Sequence, residues 1–79
     1  MNQMKLKIAT QEHVVYLYTP EGNGRAGEIQ MNFDENDVNV LLYAENDNSA
    51  GHYAFKAANA LKEHVAKRIF PLEFINAWH

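Results

Sequence analysis

The chain has 79 residues, room for one small α+β domain over residues 1–79 and none for a second. At 47% hydrophobic and 22% charged residues it is globular in composition, which excludes a disordered or collagen-like chain. The absence of cysteine excludes disulfide staples, thiolate zinc sites and a cysteine nucleophile, and the net charge of -3 argues against non-specific binding to nucleic acid or to an anionic membrane.

Met4, Leu6 and Ile8 alternate with Lys5 and Lys7, the period of a half-buried strand. Glu12 to Thr19 is rich in β-branched and aromatic residues and closes on Pro20, which predicts a second strand. Ile29, Met31 and Phe33 alternate with Glu28, Gln30, Asn32 and Asp34, the cleanest strand pattern in the chain, and Val38 to Ala44 predicts a fourth. The connections are short: Thr10-Gln11, a glycine-rich loop from Pro20 to Ala26, and the polar turn Asp34-Glu35-Asn36-Asp37. Short connections make consecutive strands antiparallel neighbours.

The second half is helical. Asn46, Asp47, Asn48 and Ser49 offer side-chain oxygens to the free amides of a first turn. Ala50, Ala54, Ala57, Leu61 and Val65 recur at helical spacing up to Phe70, with Lys56, Asn59, Glu63 and Lys67 on the opposite side. The small alanines let the helix axis approach the sheet closely, against Met4, Leu6, Ile8, Ile29, Met31 and Phe33. Pro71 ends the helix. Leu72, Ile75 and Trp78 are three apart, as on one face of a second, short helix. The expected fold class is therefore α+β: an antiparallel four-stranded β-meander, one long α-helix packed on one sheet face, and a short C-terminal helix.

Four motifs invite a chemical reading. Gly22, Gly24 and Gly27 have the G-x-G-x-x-G spacing, but a strand rather than a helix follows, so a hairpin loop is expected and no nucleotide. His13, His52, His64 and His79 lack the i,i+4 spacing of a helical zinc pair. Asp34 to Glu45 has acids twelve positions apart like a calcium loop, but Asn39 stands where the loop needs glycine. Ser49, the only serine, sits where a helix cap is needed. No catalytic residue, cofactor or metal ligand is expected, and the chain is read as not an enzyme.

Two features point to a partner. With Val15, Leu17, Val40 and Leu42 turned to the helix, the opposite sheet face carries Val14, Tyr16, Tyr18, Leu41 and Tyr43, more apolar than a wet face should be: either it meets a partner, or Phe74, Trp78 and the C-terminal tail fold over it. Asp34, Glu35, Asp37, Glu45 and Asp47 lie between Arg25 and Lys56 with no basic residue among them. Together they predict a non-catalytic acidic interaction module, an inhibitor or adaptor for a basic protein surface, or a homo-oligomer joined through the tyrosines. The alternative is a single-stranded nucleic-acid binder stacking bases on the sheet aromatics. No run approaches the roughly 20 apolar residues of a membrane span, and Met1 to Lys7 lacks the apolar run of a secretory signal. A cytoplasmic location is the expectation.

Overall fold

Alternation of apolar and polar residues builds the strands, and the free edge of the first strand recruits the last. The computed structural model describes residues 1–35, 37–48 and 51–78. The expected turn residue Asn36, cap Ser49, helix start Ala50 and terminal His79 lie outside the described residues. In chain order the elements are β1 (Asn2–Ala9), β2 (His13–Pro20), β3 (Gly27–Asn32), β4 (Asp37–Leu42), α1 (His52–Lys67) and β5 (Glu73–Asn76).

The strands form one antiparallel sheet in the order β4-β3-β2-β1-β5. The first four are consecutive neighbours, but the sheet is not a four-stranded meander, and α1 is the one helix among the described residues. The segment expected to form a short helix is β5, paired with β1 from Asn2↔Asn76 to Lys5↔Glu73. An apolar spacing over so few residues fits a strand as well as a helix. The unpaired side of β1 decides it: the Leu6 N–H donates to the Leu72 carbonyl at 2.8 Å.

The long helix crosses one face over β3, β2, β1 and β5, burying Ala54, Ala57 and Leu61. It starts after Gly51, whose φ of 82° suits glycine. Asp47 caps it from outside, accepting from the Tyr53 N–H at 3.2 Å and the Ala54 N–H at 3.1 Å. It ends with Arg68 in the left-handed region at φ 57°; the Arg68 N–H donates to the Val65 carbonyl and the Ile69 N–H to the His64 carbonyl. Those two bonds are the Schellman pattern.

Three expectations about the sheet faces are corrected, the first at Leu42, which the β4 bulge sets opposite Glu28 and leaves exposed on the open face instead of turned to the helix. Ile8 does not join the core: a bulge between Leu6 and Ile8 turns it outward. The register of β2 is the reverse of the one expected. Val14, Tyr16 and Tyr18 face the helix, with Tyr16 and Tyr18 both 0% exposed, while Leu17 lies on the open face. Both sides of this strand are apolar, so burial alone does not select the side. Pairing does. Tyr16 lies opposite Ile29 and Tyr18 opposite Gly27, where a β-carbon would fall on the Tyr18 ring. Each buried hydroxyl also finds a partner, as it must in a dry interior. The Tyr16 hydroxyl donates to the Pro71 carbonyl at 2.6 Å. The Tyr18 hydroxyl donates to Asp47 Oδ2 and accepts from the Ala44 N–H, each at 2.9 Å.

Candidate interaction surface

The residues expected to meet a partner separate into three groups. Tyr16 and Tyr18 are sealed under α1, so their rings offer neither a docking face nor a stacking platform. Asp47 is half-buried and committed to the helix cap. The remainder line up along β4. Asp34, Glu35 and Asp37 are exposed at its start; Leu41 (53% exposed) and Tyr43 (55%) mark its end, with exposed Glu45 just beyond. A six-residue strand spans about 20 Å, so the acids do not form one patch. The end near Glu45 also carries a cation. Glu45 Oε1 accepts from the Arg25 N–H at 3.2 Å, and Arg25 Nη1 donates to the Tyr43 carbonyl at 3.3 Å.

Backbone parity along the sheet identifies which groups of β4 are free. The Phe33 N–H donates to the Glu12 carbonyl at 2.9 Å, in continuation of the His13↔Asn32 register. In an antiparallel ladder, residues turn both polar groups alternately to one neighbour and then the other. Ile29 and Met31 therefore bond to β2, and Gln30 and Asn32 bond to β4. Their partners Asn39 and Asp37 spend their groups on β3. Val38 and Val40 are left with N–H and C=O turned away from the sheet, and no described strand pairs there.

The side chains of Val38 and Val40 point inward, pack on the core and are half-buried. The helix covers the other four strands and leaves this margin open. Around the helix, Tyr53 and His64 stand on the β5 side, with Tyr53 5.5 Å from the Trp78 ring and His64 4.4 Å from Phe74. Helical spacing puts Phe55 on the opposite flank of the helix from Tyr53 and His64, away from β5, and it is 61% exposed. Gly51, one turn earlier on that side, lies against Tyr43: a β-carbon there would be 3.1 Å from its ring. An apolar margin of Val38, Val40, Tyr43 and Phe55 thus runs beside a row of free amides.

The open face of the sheet is different in kind. Lys7 reaches across β2 to Glu28 at 2.8 Å, and Lys5 meets Glu73 at 3.5 Å. Its charges are satisfied within the chain. Exposed ion pairs of this sort contribute about 0–1 kcal/mol. Exposed Ile8, Leu42 and Ile75 on it are scattered across separate strands.

Among the described residues no three His, Cys, Asp or Glu side chains converge as a metal set, and no helix is long and apolar enough to cross a membrane. Lys56, expected on the polar side of the helix, lies with its Nζ 5.7 Å from the centre of the Trp78 ring. Compared with known proteins, the chain matches no family model, no curated relative and no solved structure.

The β4 margin contains two residues expected from sequence, Leu41 and Tyr43, and three that were missed: Val38, Val40 and Phe55. Phe55 carried a signal of its own. It stands off the 54/57/61 stripe, and a phenylalanine on the wet side of an amphipathic helix is an anomaly.

Proposed function

We propose that the chain is a non-catalytic protein-interaction module that works through the β4 edge and the adjoining flank of α1. The observation that carries this reading is the coincidence, on one margin, of unpaired backbone groups at Val38 and Val40 with the exposed rings of Tyr43 and Phe55. An edge strand with free amides is a template for another strand, and apolar side chains beside it supply the burial that backbone pairing alone lacks. The acidic turn at Asp34, Glu35 and Asp37 adds a charge preference at one end of the strand.

The test is a selection of random displayed peptides on the immobilised protein, repeated on Val40→Pro and on Phe55→Ser. Val40→Pro deletes an amide that the β3–β4 ladder does not use. Peptides enriched on the native chain should bind both variants at least about tenfold more weakly, the loss of a hydrogen bond or of an apolar contact. Peptides that bind all three proteins equally, or no enrichment on a chain that sedimentation shows to be monomeric, would reject the β4 margin as a binding surface.

A further inference from the structure

We infer that the β4 edge is made to take a second copy of this chain, paired antiparallel across a two-fold axis at Asn39. This rests on the reading of β4 as the interaction edge and adds the identity of the occupant.

Stereochemistry is the first support. An antiparallel pair about Asn39 sets Val38 of one copy opposite Val40 of the other, and the reverse. Those are the two residues whose N–H and C=O point away from β3. Each copy thus offers donors and acceptors at the positions where its twin needs them, and the joined sheets become one of ten strands. Asp37 and Asn39, already spent on β3, fall at the positions where no bond across the new junction is required.

Charge is the second support. Beyond the paired stretch, the turn that carries Glu35 comes to the end of the other copy's strand, where the Tyr43 carbonyl holds the Arg25 guanidinium at 3.3 Å. The strand is acidic at its start, with Asp34, Glu35 and Asp37, whereas at its end Arg25 and Glu45 sit together and balance. Antiparallel pairing sets each acidic start against this balanced end, within reach of its Arg25; parallel pairing would stack the acidic turns on each other. The bulge at the β4 end lies beyond Val40, outside the paired stretch.

Packing is the third. In the joined sheet both helices lie on the same face, each lying chiefly over its own β3. The two β3 strands are then three strand spacings apart, about 14 Å, whereas packed helices sit about 8–10 Å apart. The helices cannot touch through small residues, and the gap above Val38 and Val40 must be filled by large ones. Phe55 and Tyr43 from both copies stand at that gap, exposed in the single chain.

The experiment is sedimentation equilibrium on the full chain and three variants. The native chain should associate to dimers. Val40→Pro should keep native circular dichroism and associate at least about tenfold more weakly, having lost an inter-copy donor. Glu35→Arg alone sets like charges against Arg25 at both ends, and Arg25→Glu alone sets them against Glu35. Each should weaken self-association by roughly tenfold. An equimolar mixture of these two should recover it, because in the mixed dimer both ends are again attractive. Recovery on mixing supports antiparallel self-pairing in this register. A chain that stays monomeric at millimolar concentration overturns it, including one whose edge then binds a basic peptide; so does a dimer indifferent to all three variants. The first outcome leaves the β4 edge as an interaction surface to be judged by peptide selection, whereas the second moves the interaction elsewhere on the molecule.

Discussion

The two edges of this sheet are built from the same kind of strand and are finished differently. At the β5 edge the inner side is closed. Phe74 packs edge-on to Tyr16 with ring centres 5.6 Å apart and lies 4.4 Å from His64, and Trp78 is covered by Tyr53 and His52. The Asn2 side chain donates to the Tyr53 carbonyl and to Asn76 Oδ1, tying strand and helix together. Its charge is cancelled by Lys5–Glu73. Ile75 is exposed there on the outer side, opposite Gln3, and Leu72, just before the strand, is exposed as well. Among the described residues no aromatic pair or side-chain hydrogen bond joins β4 to α1, and the charges at its start have no basic neighbour in sequence. An edge can be short and capped by its own helix, or longer and left half-covered; the second state needs an occupant or a repulsive charge to keep it from pairing at random.

The comparison breaks most directly if the two edges contribute equally to stability. Phe74→Ala removes a ring that bridges β5, β2 and α1, and should destabilise the fold by about 3 kcal/mol, within the usual range for a phenylalanine truncation. Val40→Ala removes a half-buried side chain at the open margin and should cost about 1 kcal/mol. Urea unfolding of the two variants measures both. Similar losses would mean that β4 is as firmly packed as β5.

Proline scanning along β4 sharpens the same contrast residue by residue. Asn39→Pro removes an N–H that the ladder gives to β3, leaving an acceptor on Gln30 unsatisfied, and should cost about 2 kcal/mol. Val38→Pro and Val40→Pro remove outward N–H groups and should cost less than about 1 kcal/mol, since proline is tolerated where an edge amide faces solvent. The melting temperatures of the three should alternate low only at position 39. The opposite alternation would mean that the outward-facing residues are Asp37 and Asn39, and the two-fold register would fall with it.

The alternation that reveals β3, Ile29 and Met31 against Glu28 and Gln30, is the part of the fold most legible from sequence, because only one side of that strand is apolar. β2 was legible as a strand and illegible in orientation: Val14, Val15, Tyr16, Leu17 and Tyr18 offer an apolar residue on either side. What selects the side is Gly27 on the neighbouring strand, a gap that receives the Tyr18 ring. That is a pairwise fact, and a single strand's pattern does not hold it. β5 was hidden for a related reason. Phe74 and Asn76 alternate with Glu73 and Ile75, but Leu72, Ile75 and Trp78 also keep helical spacing, and only the unfilled side of β1 separates the two. The candidate surface was half legible. Leu41 and Tyr43 announce themselves as apolar residues without a core role. The free amides of Val38 and Val40 depend on which strand ends up outermost, a property of strand order.

The cap behind the open margin gives a smaller effect with a distinct pH signature. Burial, with a lesser part from Asp47, pushes the Tyr18 hydroxyl up to about 12. Tyr18→Phe leaves the Ala44 N–H and Asp47 without that hydroxyl and should cost about 1–1.5 kcal/mol at neutral pH. The native tyrosine stays protonated in the fold at a pH where the unfolded chain has released its proton. Its contribution is therefore complete below about pH 10, the ordinary tyrosine value, and is lost as pH rises through 12. Alkaline unfolding curves should be steeper between those values for the native chain than for Tyr18→Phe. Parallel curves would show that the Tyr18 hydroxyl is not held in a dry network. Because Asp47 also caps α1 at Tyr53 and Ala54, the same variant should loosen the helix start beside Tyr43 and Phe55 before it affects β5.

The turn that sends the chain from α1 to β5 gives the smallest effect, and its sign is the informative part. Arg68 holds φ 57°, where a β-carbon crowds the backbone, and two hydrogen bonds fix it there. Left-handed backbone costs an L-residue about 1–2 kcal/mol. Glycine relieves that cost and gives back about 0.4–1 kcal/mol through its freer unfolded chain. The relief exceeds the loss, so Arg68→Gly should stabilise the fold by about 0.5 kcal/mol and raise the melting temperature by roughly 2–4 °C. The arginine side chain is exposed and makes no ion pair among those of the described residues, so little else is removed. A gain without any change in self-association would fit a turn that serves only the closed edge, since Arg68 lies at the far end of α1 from Tyr43 and Gly51. A lower melting temperature would mean that Arg68 does more than turn the chain, and that the β5 edge depends on its side chain as well as on its backbone.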